Sequence, residues 1–186
     1  MTPSLPGFEK DFEPLKSLSK AIGEALRADS KTLAAAESLT GGWITAALTS
    51  VPGSSDYLMG GICAYSNEVK AHLLGVCPET LAVYGAVSAQ CSKEMARGAR
   101  LRIGADLAVS STGIAGPSGG SSAKPVGLVY LTVLDSSRFV TVEKRFAGDR
   151  LAVTFQAAAE ALRLLSEFLR PSQTSALEMS ARTLKP

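Results

Sequence analysis

Apolar positions along the chain switch between a helical and a strand-like period, and the switches mark the elements. Phe12, Leu15, Leu18, Ile22 and Leu26 recur at helical spacing, which predicts an amphipathic helix over 8–26. The alanine-rich run 32–37, bounded by Asp29-Ser30 and Ser38, predicts a short buried strand. Gly41-Gly42 then opens a helical pattern through Trp43, Ile44, Ala47 and Leu48, which Pro52-Gly53 ends. Residues 58–65 predict a second strand and 66–74 a short helix; Pro78 sits where a helix starts, giving an element to about Tyr84. Ser88 and Gly104 are the caps expected of a long helix over 89–103. Residues 107–111 predict a strand. The segments 126–134 and 139–146 alternate around Asp135-Ser136-Ser137 and predict an antiparallel hairpin. A last helix over 150–169 presents Val153, Ala157, Ala161, Leu164, Leu165 and Phe168, and Pro171 stops it.

Strands alternating with helices and then a hairpin predict an α/β fold, a mixed β-sheet covered by helices on both faces in α/β/α layers. The expected organisation is a loose arm over 1–10, a single domain over 11–170 and a polar tail over 171–186. The 186 residues suit one domain, and a 46% hydrophobic share is that of a globular chain. With 19 basic against 17 acidic side chains, nothing at the whole-chain level argues for nucleic acid or a membrane surface as partner. Three cysteines (Cys63, Cys77, Cys91) are an odd count for a disulfide framework and point to a reducing compartment. One histidine and no paired cysteine motif leave no metal site to expect. The start of the chain has no apolar core of a signal peptide, and no uninterrupted run approaches a membrane span. The expectation is a cytoplasmic domain.

Three segments carry more polar and glycine residues than packing requires. In Ala36-Glu37-Ser38-Leu39-Thr40-Gly41-Gly42, a strand end runs into a helix start, a turn that places Ser38 on the rim of a sheet where ligands bind. The alternative there is plain: Ser38 or Thr40 caps the helix and the glycines ease the turn. In Tyr65-Ser66-Asn67-Glu68-Val69-Lys70, a lysine held in a dry pocket has its pKa lowered enough to act as a base, whereas a solvated helix lysine does not. His72, the one histidine, reads as a surface or packing residue. The third segment, Ser111 to Gly120, allows close approach of backbone to a ligand, but it is neither a GxxxxGK[ST] loop nor a GxGxxG turn. Arg150, in Gly148-Asp149-Arg150, is either an anion clamp or a solvated arginine beside a capping Asp149.

Taken in order, the strings Ala36-Glu37-Ser38-x-Thr40-Gly41-Gly42, Tyr65-Ser66-Asn67-Glu68-x-Lys70, Gly85-Ala86-Val87-Ser88, Gly113-Ile114-Ala115-Gly116-Pro117-x-Gly119-Gly120, Lys124-Pro125-Val126-Gly127 and Gly148-Asp149-Arg150 resemble the CinA C-terminal domain family over about residues 14 to 169. The resemblance is to its stand-alone form, without the nucleotide-hydrolysing domain of two-domain members. It implies nicotinamide-nucleotide amidohydrolase activity (NMN deamidase): nicotinamide mononucleotide and water yield nicotinate mononucleotide and ammonia, in pyridine-nucleotide salvage. It further implies Ser38 as nucleophile, Lys70 as general base, and Tyr65 and Arg150 as assisting groups. The implied substrate contacts are at Thr40, Gly41, Gly42, Asn67, Thr112, Gly113, Gly116, Gly119 and Gly120. Amides near Gly41-Gly42 would hold the oxyanion, and the 113–120 loop would hold the phosphate. No cofactor is implied. Leu39 departs from the family, where cysteine is frequent. The competing expectations are a weak or inactive paralogue that binds a pyridine nucleotide or related amide, and a competence-associated interaction protein. The small-molecule substrate is the expected partner, with a homo-oligomer, a dimer or higher, as the expected assembly.

Overall fold

The computed structural model describes residues 8–170, with side chains from Phe12 onward. Five strands form one sheet in the order β2-β1-β3-β4-β5. The central β1 (Leu33–Glu37) runs parallel to β2 (Leu58–Cys63) on one side and to β3 (Leu107–Gly113) on the other. β4 (Leu128–Leu134) and β5 (Phe139–Arg145) complete the sheet as the antiparallel hairpin, paired Leu128↔Arg145 through Leu134↔Phe139.

Every residue of β1 is buried, as a parallel strand covered on both faces requires. Its side chains alternate between two cores. Leu33 and Ala35 join Val109, Leu131 and Val133 under α1 (Phe8–Ala28), α2 (Trp43–Thr49) and α6 (Arg150–Leu169). Ala34, Ala36 and Ala108 face Cys91, Met95, Ala96 and Ala99 of α5 (Ala89–Ile103), with Leu74 from α3 (Asn67–Leu74). Both faces therefore carry helices, in the α/β/α layering expected. The alanines on the α5 side leave room for close approach. Gly98 of α5 presses on the end of α3, where an added Cβ would fall 1.8 Å from the Leu74 carbonyl oxygen.

The chain leaves β1 through α2 on one face to reach β2. It returns through α3, α4 (Pro78–Val83) and α5, crossing the other face to β3. The two crossovers leave the carboxyl ends of the neighbouring strands β1 and β2 onto opposite faces, the position where open α/β sheets leave a crevice for ligands.

Several boundaries differ from the sequence reading. β3 continues past Ser111 because Thr112 and Gly113 still pair with Tyr130 and Val129. β2 ends at Cys63 rather than Tyr65, since the carbonyls beyond it turn toward Lys70. The hairpin strands are shorter at the open end, where Gly127 turns with φ of 88°. A short 3-10 turn over Ser54–Asp56, in a stretch without apolar periodicity, has no counterpart in the predicted elements. α1 begins at Phe8, as the apolar spacing predicts, includes Pro14, and runs to Ala28, two residues past the predicted end. The rest of the arm, 1–7, and the tail, 171–186, lie outside the described residues. Among the described residues no helix is long and apolar enough to cross a membrane.

Gly98→Ala is expected to lower stability by about 2–3 kcal/mol, since backbone rather than a flexible side chain occupies the space. Urea unfolding measures it; an unchanged midpoint would mean that α3 and α5 are not in this contact.

Candidate active site

Ser38 is the first residue after β1, and its N–H donates to the Ser111 carbonyl at 3.0 Å, which continues the β1–β3 pairing into the turn. The chain then reverses into α2 through Gly41 and Gly42, with φ of 58° and 107°, left-handed values that disfavour a side chain. Neither Ser38 nor Thr40 caps α2, as the plain alternative had it. The carboxylate of Glu37 does: Oε2 accepts from Gly42 and Ile44 N–H at 3.0 Å each, and Oε1 from Thr45 N–H at 2.8 Å and Thr45 Oγ1–H at 2.6 Å. Thr40 Oγ1 is instead 2.6 Å from Ser111 Oγ. The Ser38 hydroxyl is thereby left free of the helix start.

It meets Lys70. Ser66 caps α3, accepting from the Val69 N–H at 3.2 Å, and the helix carries Lys70 back under the sheet edge. The side chain is 1% exposed. Nζ lies 3.1 Å from Ser38 Oγ, 2.8 Å from the Ala64 carbonyl oxygen and 3.1 Å from that of Tyr65. Among the described residues no carboxylate pairs with it. Burial disfavours the ammonium and holds the Lys70 pKa below the ordinary lysine value. The nearby Cys91 thiol, pushed up by burial to about 11, stays neutral and provides no counter-charge near pH 7.

Arg150, the first residue of α6, donates from Nη1 to the Gly116 carbonyl at 2.8 Å and from Nη2 to the Tyr65 hydroxyl. One guanidinium therefore joins the glycine-rich loop to the β2–α3 turn. Thr112 Oγ1–H donates to the Ala86 carbonyl at 2.8 Å, holding the 85–88 turn on the opposite wall. These parts enclose a cavity of about 250 Å³ with Ser38 and Lys70 on its wall.

Of the residues singled out in the sequence, Ser38, Tyr65, Asn67, Lys70, Thr112, Gly113, Gly116, Gly119 and Arg150 line this cavity. Thr40, Gly41, Gly42 and Gly120 do not. The amides expected to hold an oxyanion are engaged within the protein: Gly42 N–H by Glu37, and Gly41 N–H by the Ser38 carbonyl at 3.2 Å. Gly120 packs on the returning loop, where a Cβ would fall 2.9 Å from Val126 N. His72 lies exposed on α3 and away from the cavity. Leu39, Ala86, Val87, Ile114, Ala115 and Ser118 also line it; the sequence reading quoted their segments but gave these residues no site role, and the five apolar side chains carry no chemical signal. Glu37 had a signal: a glutamate just ahead of a helix that lacks a Ser, Thr, Asp or Asn at its N-cap. Among the described residues no group of three His, Cys, Asp or Glu side chains is placed to hold a metal ion.

The fold and site define a class: a three-layer α/β domain with a serine–lysine pair at the carboxyl edge of a mixed sheet. The chain belongs to the CinA C-terminal domain family, whose model matches residues 15–169. It is 47% identical over 158 residues to the nicotinamide-nucleotide amidohydrolase PncC of Escherichia coli K12, covering 84% of this chain and 96% of that protein. It is also 47% identical over 163 residues to a putative competence-damage inducible protein of Moorella thermoacetica, covering 88% of this chain but 39% of that longer protein. The chain likewise spans under two-fifths of the CinA-like proteins of Thermotoga, at 41–43% identity. Among solved structures, the competence/damage inducible protein CihA of Agrobacterium tumefaciens superposes with a TM-score of 0.83 at 36% identity, over 91% of this chain and all of that one. A CinA superfamily protein of Klebsiella pneumoniae gives 0.80 at 37%, over 83% and 97%.

The buried lysine has a cost that depends on pH. Its folded pKa lies below the ordinary 10.5, so the unfolded chain binds the extra proton. Relative to Lys70→Met, the wild type should lose stability as pH falls from about 10.5 toward the folded pKa, then hold a constant difference below it. Paired urea titrations across that range measure this; a difference independent of pH would mean that Lys70 is not desolvated.

Proposed function

We propose that this chain is an amidohydrolase that cleaves the carboxamide of nicotinamide mononucleotide to nicotinate mononucleotide and ammonia, with Ser38 as nucleophile and Lys70 as its base. The observation that carries the reading is the Lys70 Nζ to Ser38 Oγ approach at 3.1 Å inside a site lined by Arg150 and a glycine-rich loop. The 47% identity to the E. coli nicotinamide-nucleotide amidohydrolase supplies the substrate.

A neutral amine has two N–H bonds and one lone pair. The Ala64 and Tyr65 carbonyls accept the two N–H bonds, which leaves the lone pair for the Ser38 hydroxyl proton. A lysine without a carboxylate partner and shielded from water is neutral over more of the pH range, which is what a base for a serine needs. As Lys70 takes the proton, Ser38 Oγ bonds to the carboxamide carbon and the carbonyl becomes an oxyanion. Lys70 then gives the proton to the departing nitrogen, the C–N bond breaks, and ammonia leaves an ester on Ser38. Water attacks that ester, passing a proton to Lys70, which returns it to Ser38 as nicotinate mononucleotide is released. No step calls for a metal or an organic cofactor.

The far end of the cavity suits the phosphate. The amides of Ser118 and Gly119 have no partner among the described residues, and Arg150 stands beside them with its charge unpaired by any carboxylate. Backbone donors with glycine between them approach a phosphate without side-chain bulk. Tyr65, 63% exposed and held by Arg150, offers a ring at the mouth.

Purified protein should release ammonia from nicotinamide mononucleotide, and both Ser38→Ala and Lys70→Met should reduce kcat by at least about 10³-fold while remaining folded. Folded wild type that releases none would refute the assignment. Because neutral Lys70 is the active form, kcat/KM should fall as pH drops through its depressed pKa; a rate flat from about pH 5 to about pH 9 would exclude Lys70 as the base.

A further inference from the structure

Between Ser38 and Thr45 nearly every backbone N–H has an acceptor inside the protein. Ser38 donates to the Ser111 carbonyl, Gly41 to Ser38 and Trp43 to Thr40; Gly42, Ile44 and Thr45 donate to the Glu37 carboxylate. Among the described residues only the Leu39 and Thr40 amides of this turn have none. Leu39 is 6% exposed and Thr40 fully buried, so neither is a surface residue with ready access to water. Leu39 lines the cavity beside Ser38. Buried donors left without an acceptor are rare and call for a reason.

We infer that the Leu39 amide is the donor that receives the oxyanion, and that Glu37 is the positioning residue that keeps it available. The inference deepens the amidohydrolase reading and rests on it. A helix start needs acceptors for its first N–H groups, and residues next to it supply them when nothing else does. Without the Glu37 carboxylate, the side-chain oxygens next in the chain to the start of α2 are the hydroxyls of Ser38 and Thr40. Recruiting either would draw the nucleophile off Lys70 or swing the Leu39 amide out of the cavity. Glu37 is able to do this because it is 1% exposed, on the last position of β1, with its own carbonyl oxygen accepting from Ala64 N–H at 2.8 Å. It touches neither the cavity nor the reacting atoms, and its charge is matched by three amides and one hydroxyl.

Glutamine keeps the shape of Glu37 but turns an NH2 group toward two of the donors. Glu37→Gln should therefore lower kcat by about 100- to 1000-fold with KM for nicotinamide mononucleotide nearly unchanged, the range seen when one oxyanion donor is lost. Thr45→Val, which removes one of the four contacts, should give a smaller loss of the same kind. An analogue with boronic acid in place of the carboxamide forms a tetrahedral adduct on a serine, and its affinity should fall in each variant by the same factor as kcat. Asp106→Ala removes the bonds from Thr32 at the other end of the sheet and serves as the stability control, with activity retained. Replacing the Leu39 amide by an ester deletes the proposed donor without touching Glu37, and should reproduce the kcat loss if Glu37→Gln fails to fold. Ammonia release by the wild type with unchanged kcat in the ester variant would overturn the donor assignment. Unchanged kcat in folded Glu37→Gln, or a loss confined to KM, would overturn the positioning role. No ammonia from folded wild type would overturn the amidohydrolase reading, and this inference with it.

Discussion

An amine is buried at the edge of a sheet, and the rest of the site is arranged around that burial. Lys70 is 1% exposed and has no carboxylate partner among the described residues; its contacts are two carbonyl oxygens and one hydroxyl. Removing an ammonium from water without a counter-charge is unfavourable, and the molecule relieves the penalty by lowering the pKa rather than by supplying an anion. The same desolvation that weakens the fold favours the neutral amine. A carboxylate at this place would stabilise the ammonium and remove the lone pair from use.

Holding the amine there draws on both layers of the domain. β1 and β2 are parallel neighbours, so Ser38 and the Ala64–Tyr65 carbonyls emerge at one edge. α3 brings Lys70 up beneath them, and α5 packs behind it with Cys91 and Met95 in the apolar cluster that excludes water. The alanines of β1 and Gly98 of α5 let these layers close without a gap. From the other layer, α6 sends Arg150 across to Tyr65 and Gly116 and so ties the loop to the turn that holds the amine. The chemistry and the packing share the same short strand, which leaves little freedom to alter one without the other.

Glu37 and Ser38 illustrate how neighbouring residues divide the work. Glu37 ends β1 and Ser38 extends its pairing with β3 by one residue, so their side chains point to opposite faces. One satisfies the start of α2 and the other reaches the cavity. Their alternation is why a hydroxyl beside a helix start, where serine usually caps, is left to meet a lysine instead.

Much of the fold is legible in the chain because its signals are local. The apolar periods of α1, α5 and α6, the caps Ser88 and Gly104, and the alternation of the hairpin each depend on residues within a turn or two of one another. The order of polar and glycine motifs likewise marked Ser38, Tyr65, Lys70 and Arg150 before any coordinates, by resemblance to a family. What the chain could not express is which donors remain free once the turns close. Gly41 and Gly42 look like an oxyanion site on spacing alone, yet their amides are consumed by Ser38 and by Glu37. That Lys70 is dry, that Thr40 bonds to Ser111, and that Arg150 reaches Tyr65 from 85 positions away follow from the sheet order and the two crossovers. Periodicity and capping are written residue by residue; burial and the completion of hydrogen bonds depend on what the rest of the chain brings alongside, and only the tertiary structure decides that.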